Sequence, residues 1–240
     1  MKKLILGTAV VALSAGFAFA GSHSVVRMGT EGAYPPYNYI DDKGEVAGFE
    51  RELGDELCAR AELTCEWVTN DWDSIIPNLV SGNYDTIIAG MSITDERKEK
   101  IDFTTNYTQP DPSAFLALSD SVDVATGVIA TQASTIQASY IAQSGATLIE
   151  FATPEETIAA VRNGEADAVL ADRAYLEPIA AEGGDLVILE QNVLIGGGVG
   201  MGIRKSDTEL RDKFTAAIEA MKADGTLNAL IVKHGIGETF

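Results

Sequence analysis

The sequence predicts an α/β protein folded as two lobes of one design. Each lobe is a mostly parallel sheet flanked by helices, and two hinge crossings join them. Three observations carry this expectation. The first is a duplicated unit: "IPNLVSGNYDTIIAG" (76–90) and "IAAVRNGEADAVLAD" (158–172) each read as a helix end, a glycine stop and a buried strand. Laying Gly82 on Gly164 also lays Asp85 on Asp167, Ile87 on Val169, Ile88 on Leu170 and Ala89 on Ala171. The second is the alternation of short apolar runs with helical periodicity, the pattern of parallel sheets covered on both faces. The third is punctuation: Pro110 and Pro112 mark one crossing, and "GGGVGMG" (196–202) marks a return, which sends the closing helices back to the first lobe.

Taken in order, residues 1–20 have a basic start at Lys2 and Lys3, an apolar middle and a small-x-small ending at Ala18, Phe19 and Ala20, the pattern of a cleavable secretory signal. The first lobe is then expected over 21–109 plus 203–240, and the second, with the hinge segments, over 110–202. Strands are expected at "VVRMG" (25–29), "CEWVT" (65–69), "TIIAG" (86–90), "TGVIA" (126–130), "AVLAD" (168–172) and "LVILE" (186–190). Phe49, Leu53 and Leu57 form one helical stripe, and Leu210, Phe214, Ala217, Ile218 and Met221 another that Gly225 ends. Thr153 with Glu156, and Ser206 with Glu209, are spaced as capping boxes.

Composition narrows the function. Loss of Lys2 and Lys3 with the leader takes the formal charge from -19 to -21, a sign that argues against nucleic acid and anionic lipid as partners. No run after the leader approaches the roughly 18 residues that cross a bilayer. Cys58 and Cys65, in "LCARAELTC", are the only cysteines, and in an exported chain so close a pair reads as a disulfide. With His23 and His234 far off in sequence, two thiolates are too few for zinc, so no metal or other cofactor is expected.

Ligands of open parallel sheets collect at the carboxyl ends of strands. Gly90 and Asp172 hold matching positions at the ends of matching strands, one per lobe, so they are expected to border one cleft. Arg97 follows on the first-lobe side, and its guanidinium can grip a carboxylate bidentately, with Ser92 and Thr94 adding donors. The ordinary alternative for Arg97 is a surface pair with Asp95 or Glu96, and for Asp172 a helix cap. Together Arg97 and Asp172 describe a reader of zwitterions. Tyr34 and Trp72 precede helices and can sandwich the stem of a ligand side chain. Glu31 lies just past the first strand, where an acid favours a basic or amide-bearing ligand. In "TQASTIQASY" (131–140), Ser134 and Thr135 open a helix and either present hydroxyls to a ligand or serve as plain caps.

The segments "GTEGAYPPYNY", "DWDSIIPNLVSGNYDTIIAGMSITDERKEKIDFT", "NGEADAVLAD" and "GMGIRKSDTELRDKFTAAIEAMKADGTLNAL" together resemble the periplasmic amino-acid-binding proteins of polar amino-acid ABC importers, including those for lysine, arginine, ornithine and histidine. The resemblance spans nearly the whole chain after the leader. It implies the two-lobed periplasmic binding protein fold, a periplasmic location, and a monomer that closes on one polar or basic L-amino acid, with arginine, lysine, ornithine, histidine, glutamine and opines all open, and presents itself to a membrane permease. Position by position, it implies Arg97 as the clamp of the α-carboxylate, with Ser92 and Thr135 assisting. Asp172 and the Gly90 carbonyl receive the α-ammonium, Tyr34 and Trp72 are the aromatic walls, and Glu31 is the acid that meets the side chain. Where the family often has "GFDVDL" this chain has "GFEREL", which puts Glu50 in place of an Asp; Ala89 and Ala133 stand where some relatives have Ser and Gly. Two other functions sit on similar folds: a cyclohexadienyl dehydratase, which would have to use Glu31 or Asp172 as its acid or base, and a periplasmic ligand sensor.

Overall fold

The computed structural model describes residues 25–240, so the leader expected at 1–20 lies outside the described residues. The chain opens with strand β1 (Val26–Thr30), the short strands β2 (Ala33–Tyr34), β3 (Asn38–Ile40) and β4 (Val46–Ala47), and helix α1 (Phe49–Arg60). Strand β5 (Cys65–Thr69) leads through a 3-10 turn at Trp72–Ser74 into α2 (Ile75–Val80), then β6 (Thr86–Ile87), α3 (Asp95–Lys100) and β7 (Asp102–Asn106). After a first crossing come β8 (Ser113–Ala117), β9 (Val128–Gln132), α4 (Ile136–Ala142), β10 (Thr147–Phe151), α5 (Pro154–Arg162), β11 (Ala168–Asp172), α6 (Arg173–Ala181) and β12 (Val187–Val193). A second crossing leads to β13 (Gly200–Ile203), α7 (Thr208–Asp224) and α8 (Thr226–His234).

The strands make two five-stranded sheets of the same plan, β5-β1-β6-β13-β7 and β10-β9-β11-β8-β12. In each, the first three strands are parallel and the fourth runs against both neighbours. Each crossing leaves by the fifth strand of one sheet and enters as the fourth strand of the other. β13 therefore belongs wholly to the first sheet, and the return precedes Gly200, upstream of the 202/203 boundary expected from sequence. The crossings run side by side: the Tyr107 N–H donates to the Val199 carbonyl at 2.7 Å, and the Val199 N–H donates to the Thr108 hydroxyl at 3.1 Å. Gly198 sits between them at φ +84°, where a Cβ would lie 2.5 Å from the Thr108 carbonyl oxygen, so only glycine fits.

The duplicated unit has a structural meaning. Gly82 and Gly164 both adopt left-handed backbone after a helix, at φ +81° and +74°. Asp85 and Asp167 each accept a main-chain N–H from the first strand of their own sheet, from Arg27 at 2.9 Å and from Val128 at 2.7 Å. One sequence signature thus fastens the third strand to its neighbour in both lobes. The helical stripes are core as expected: Phe49, Leu53 and Leu57 are fully buried, and Phe214, Ile218 and Met221 pack with them as α7 and α8 return to α1. Cys58, near the end of α1, is disulfide-bonded to Cys65, the first residue of β5. Thr153 and Glu156 form the expected capping box. Ser206 does not cap α7: the helix starts at Thr208 after Asp207, and the Ser206 hydroxyl donates to the Asp207 carboxylate.

Candidate functional site

A cavity of about 30 Å³ lies between the sheets at the carboxyl ends of their parallel strands. Its walls include eight of the residues singled out from the sequence: Glu31, Tyr34, Trp72, Gly90, Ser92 and Arg97 from the first lobe, and Thr135 and Asp172 from the second; Thr94 and Ser134 line the neighbouring groove instead. Ala89, Gln132, Ile136 and Gln137 complete it. A wider open groove between α2, α3 and α4 borders it and shares Trp72, Arg97, Thr135 and Ile136.

Arg97 is placed by α3, whose N-cap Thr94 accepts the Arg97 N–H through its hydroxyl. The guanidinium turns inward and is 9% exposed. It donates to the Ser92 carbonyl at 2.8 Å and, across the cleft, to the Ser134 carbonyl at 3.4 Å, with Trp72 stacked 5.3 Å from its centre. Among the described residues no carboxylate forms a salt bridge with it, and Asp95 pairs instead with Lys98. Burial draws Arg97 down to about 10, against the pull of Asp172 and Glu96. The surface-pair alternative is not what the chain adopts.

Asp172 ends β11 and precedes α6 but makes no side-chain cap. Its carboxylate instead accepts the Tyr34 hydroxyl at 2.9 Å and the Gln137 amide at 2.9 Å. Withdrawal from bulk water raises its pKa, while the Tyr34 hydrogen bond, the Arg97 charge and Gln137 lower it. Arg97 and Asp172 therefore sense each other's charge across the cavity from opposite lobes.

Tyr34 and Trp72 line the cavity in ways the sequence did not suggest. Tyr34 stacks on Tyr175 of the second lobe at 4.4 Å, with its hydroxyl on Asp172, and Trp72 faces Arg97 while its indole N–H reaches the Ser134 carbonyl at 3.4 Å. Glu31 is half-buried and accepts the Gln132 amide of the other lobe at 2.6 Å. Burial raises Glu31 to about 7, with Asp71 and Asp73 adding repulsion and the Gln132 hydrogen bond opposing. Thr135 does double duty, capping α4 by accepting the Ala138 N–H while its hydroxyl donates to the Gln132 carbonyl. Ser134 contributes its carbonyl to Arg97 and Trp72, held in left-handed backbone at φ +59°.

Sequence reasoning missed Gln132, Gln137 and Tyr175. Gln132 had a usable signal, since it ends a strand of the second sheet as Asp172 does. Gln137, which lines the cavity, and Tyr175, which backs Tyr34 from the core, lie on helices, where nothing in the residue pattern separates either from an ordinary packed side chain. Among the described residues no cluster of His, Cys, Asp and Glu could hold a metal ion, and no helix is long and apolar enough to cross a membrane.

Two matching α/β lobes, with a buried cation and a half-buried acid lining one cavity from opposite sides of the cleft, define a two-lobed binding protein for a small polar solute. The chain belongs to the bacterial extracellular solute-binding proteins, family 3, whose sequence profile matches residues 26–237. It is similar to the L-arginine-binding protein of Pseudomonas aeruginosa, 33% identical over 252 aligned residues that cover 98% of this chain and 96% of the relative. It is also 32% identical to the lysine/arginine/ornithine-binding periplasmic protein of Escherichia coli K12, over 98% and 97% of the two chains. Among solved structures it is similar to a periplasmic His/Glu/Gln/Arg/opine family-binding protein from Silicibacter pomeroyi in complex with lysine, 72% identical with a TM-score of 0.86 over 88% of this chain and 96% of that one.

Proposed function

We propose that this protein is the periplasmic binding component of an amino-acid ABC importer, that it closes on one free L-amino acid with a basic side chain, and that it does so without chemical turnover. The observation that carries the reading is the placing of Arg97 and Asp172 on one cavity: a buried guanidinium without a carboxylate partner among the described residues lies across from a half-buried acid of the other lobe whose carboxyl is withdrawn from bulk water. Burying such groups is costly unless each finds an opposite charge, and an α-amino acid supplies one of each. Arg97 holds the α-carboxylate with help from Ser92 and Thr135, and Asp172 with the Gly90 carbonyl holds the α-ammonium. Glu31, with Asp71 and Asp73 behind it, draws the cationic end of the side chain between Tyr34 and Trp72. The relatives named for arginine, lysine and ornithine, and the lysine complex, support this choice of ligand class.

A cavity of about 30 Å³ holds little more than one water. A whole amino acid therefore enters by separation of the lobes about the two crossings, with Tyr34 leaving Asp172 and Gln132 leaving Glu31. The periplasmic location, the monomeric state and a permease as partner follow from the same reading.

A thermal-shift screen over the twenty amino acids with ornithine and citrulline tests it, because a ligand that binds only the folded form raises the melting temperature. L-Arginine, L-lysine or ornithine should give the largest shift, and incubation with prephenate or arogenate should leave both intact. A screen in which basic amino acids give no shift, or in which either precursor is consumed, overturns the proposal.

A further inference from the structure

Glu50 does not line the cavity and is 0% exposed, yet three donors converge on its carboxylate. The Gly90 N–H at 2.7 Å and the Tyr107 hydroxyl reach Oε1, and the Asn38 amide reaches Oε2 at 2.7 Å. Asn38 in turn accepts the Gly32 N–H at 2.7 Å. Each branch ends at a working part of the molecule. Gly90 lies on the cavity wall, Gly32 follows Glu31, and Tyr107 opens the first crossing, where its N–H is bonded to Val199 in the second.

Packing alone gives no reason for an acid here. Phe49, Leu53 and Leu57 already seat α1 in the core, and a buried carboxylate adds little net stability even when fully hydrogen-bonded. What it adds is geometry, because a carboxylate accepts at both oxygens and an amide at one. We propose that Glu50 is a positioning residue of the ligand site: its carboxylate fixes the main chain at Gly90 and, through Asn38, the loop bearing Glu31, and ties both to the hinge at Tyr107. The proposal rests on the reading of the cavity as the amino-acid site. It also gives the Glu that stands in place of the family's Asp a role in that site.

Glu50→Gln keeps the shape but turns an NH2 toward either the Gly90 and Tyr107 donors or the Asn38 amide. Amide hydrogen exchange followed by NMR in the ligand-free protein reads the effect directly, and calorimetric titration with L-arginine and L-glutamine reads its consequence. Exchange at Gly90, Gly32 or both should accelerate at least about tenfold, and the Kd for L-arginine should weaken about tenfold, while the amides of Leu53 and Ile87 in the core keep their protection. Unchanged exchange at Gly90 and Gly32 overturns the proposal, as does a loss of protection shared equally by the core. Should the Gln variant not fold, Glu50→Asp keeps the charge one methylene short of its donors and is held to the same outcomes. A wild-type protein that binds no basic amino acid defeats the ligand reading, while the exchange rates still decide the role of Glu50.

Discussion

Arg97 and Asp172 each carry a burial cost that an opposite charge must offset, and each receives only neutral hydrogen-bonding partners from the described residues. If a ligand carboxylate completes Arg97, Arg97→Ala should weaken binding of any α-amino acid at least about 100-fold in calorimetry, the scale of losing one partner of a buried ion pair. Titration curves indistinguishable from wild type would contradict this. Glu31 makes a separate prediction. A carboxyl raised from its ordinary 4.5 to about 7 by burial favours the folded state less as pH climbs between those values. A cationic side chain reverses that bias by favouring the ionised acid. Binding of L-arginine should therefore strengthen roughly tenfold from about pH 6 to about pH 8 and release a proton at the lower pH, whereas Glu31→Gln should flatten the profile and weaken basic ligands more than glutamine. An unchanged pH profile in the variant would contradict the role given to Glu31.

The elements divide into those that hold the site and those that hold the scaffold, and the disulfide belongs to the second group. It closes a short loop between α1 and the first residue of β5, at the edge of the sheet away from the strands' carboxyl ends. Replacing both cysteines with serine should cost roughly 2 to 3 kcal/mol, lowering the melting temperature by about 5 to 10 °C, with ligand affinity within about twofold of wild type. A large loss of affinity in the folded variant would mean the disulfide also shapes the cleft. Much at this scale was legible. The repeated glycine and aspartate announced two lobes because both aspartates fasten strands in the same way, and "CEWVT" and "AVLAD" are strands over the expected residues. The strands β7, β8, β10 and β13, and the short β2, β3 and β4, were not legible. β8 is buried along its whole length and so shows no alternation, and β13 contains two glycines, which carry no side chain to mark a face. The cavity position of the candidate residues on strand ends and loops was legible because topology aims such positions at a cleft. Gln137, on the cavity, and Tyr175, behind Tyr34, were not, because which faces of α4 and α6 meet the first lobe is set by packing between the lobes.

At the scale of the molecule, the two lobes touch through the very groups a ligand would use. Tyr34 meets Asp172, Gln132 meets Glu31, and the Ser134 carbonyl meets both Arg97 and Trp72. On the proposed reading an arriving amino acid would exchange contacts between lobes for contacts to itself, while the paired crossings at 107–112 and 194–199 keep the halves in register. The selectivity this implies rests on charge at both ends of the ligand's backbone. The most direct test leaves the protein unaltered: calorimetric titration with L-arginine, with agmatine, which lacks the carboxylate, and with 5-guanidinopentanoate, which lacks the ammonium. Both analogues should bind at least about 100-fold more weakly than L-arginine, since each leaves one buried charge unanswered. An analogue that binds as tightly as L-arginine would contradict the account.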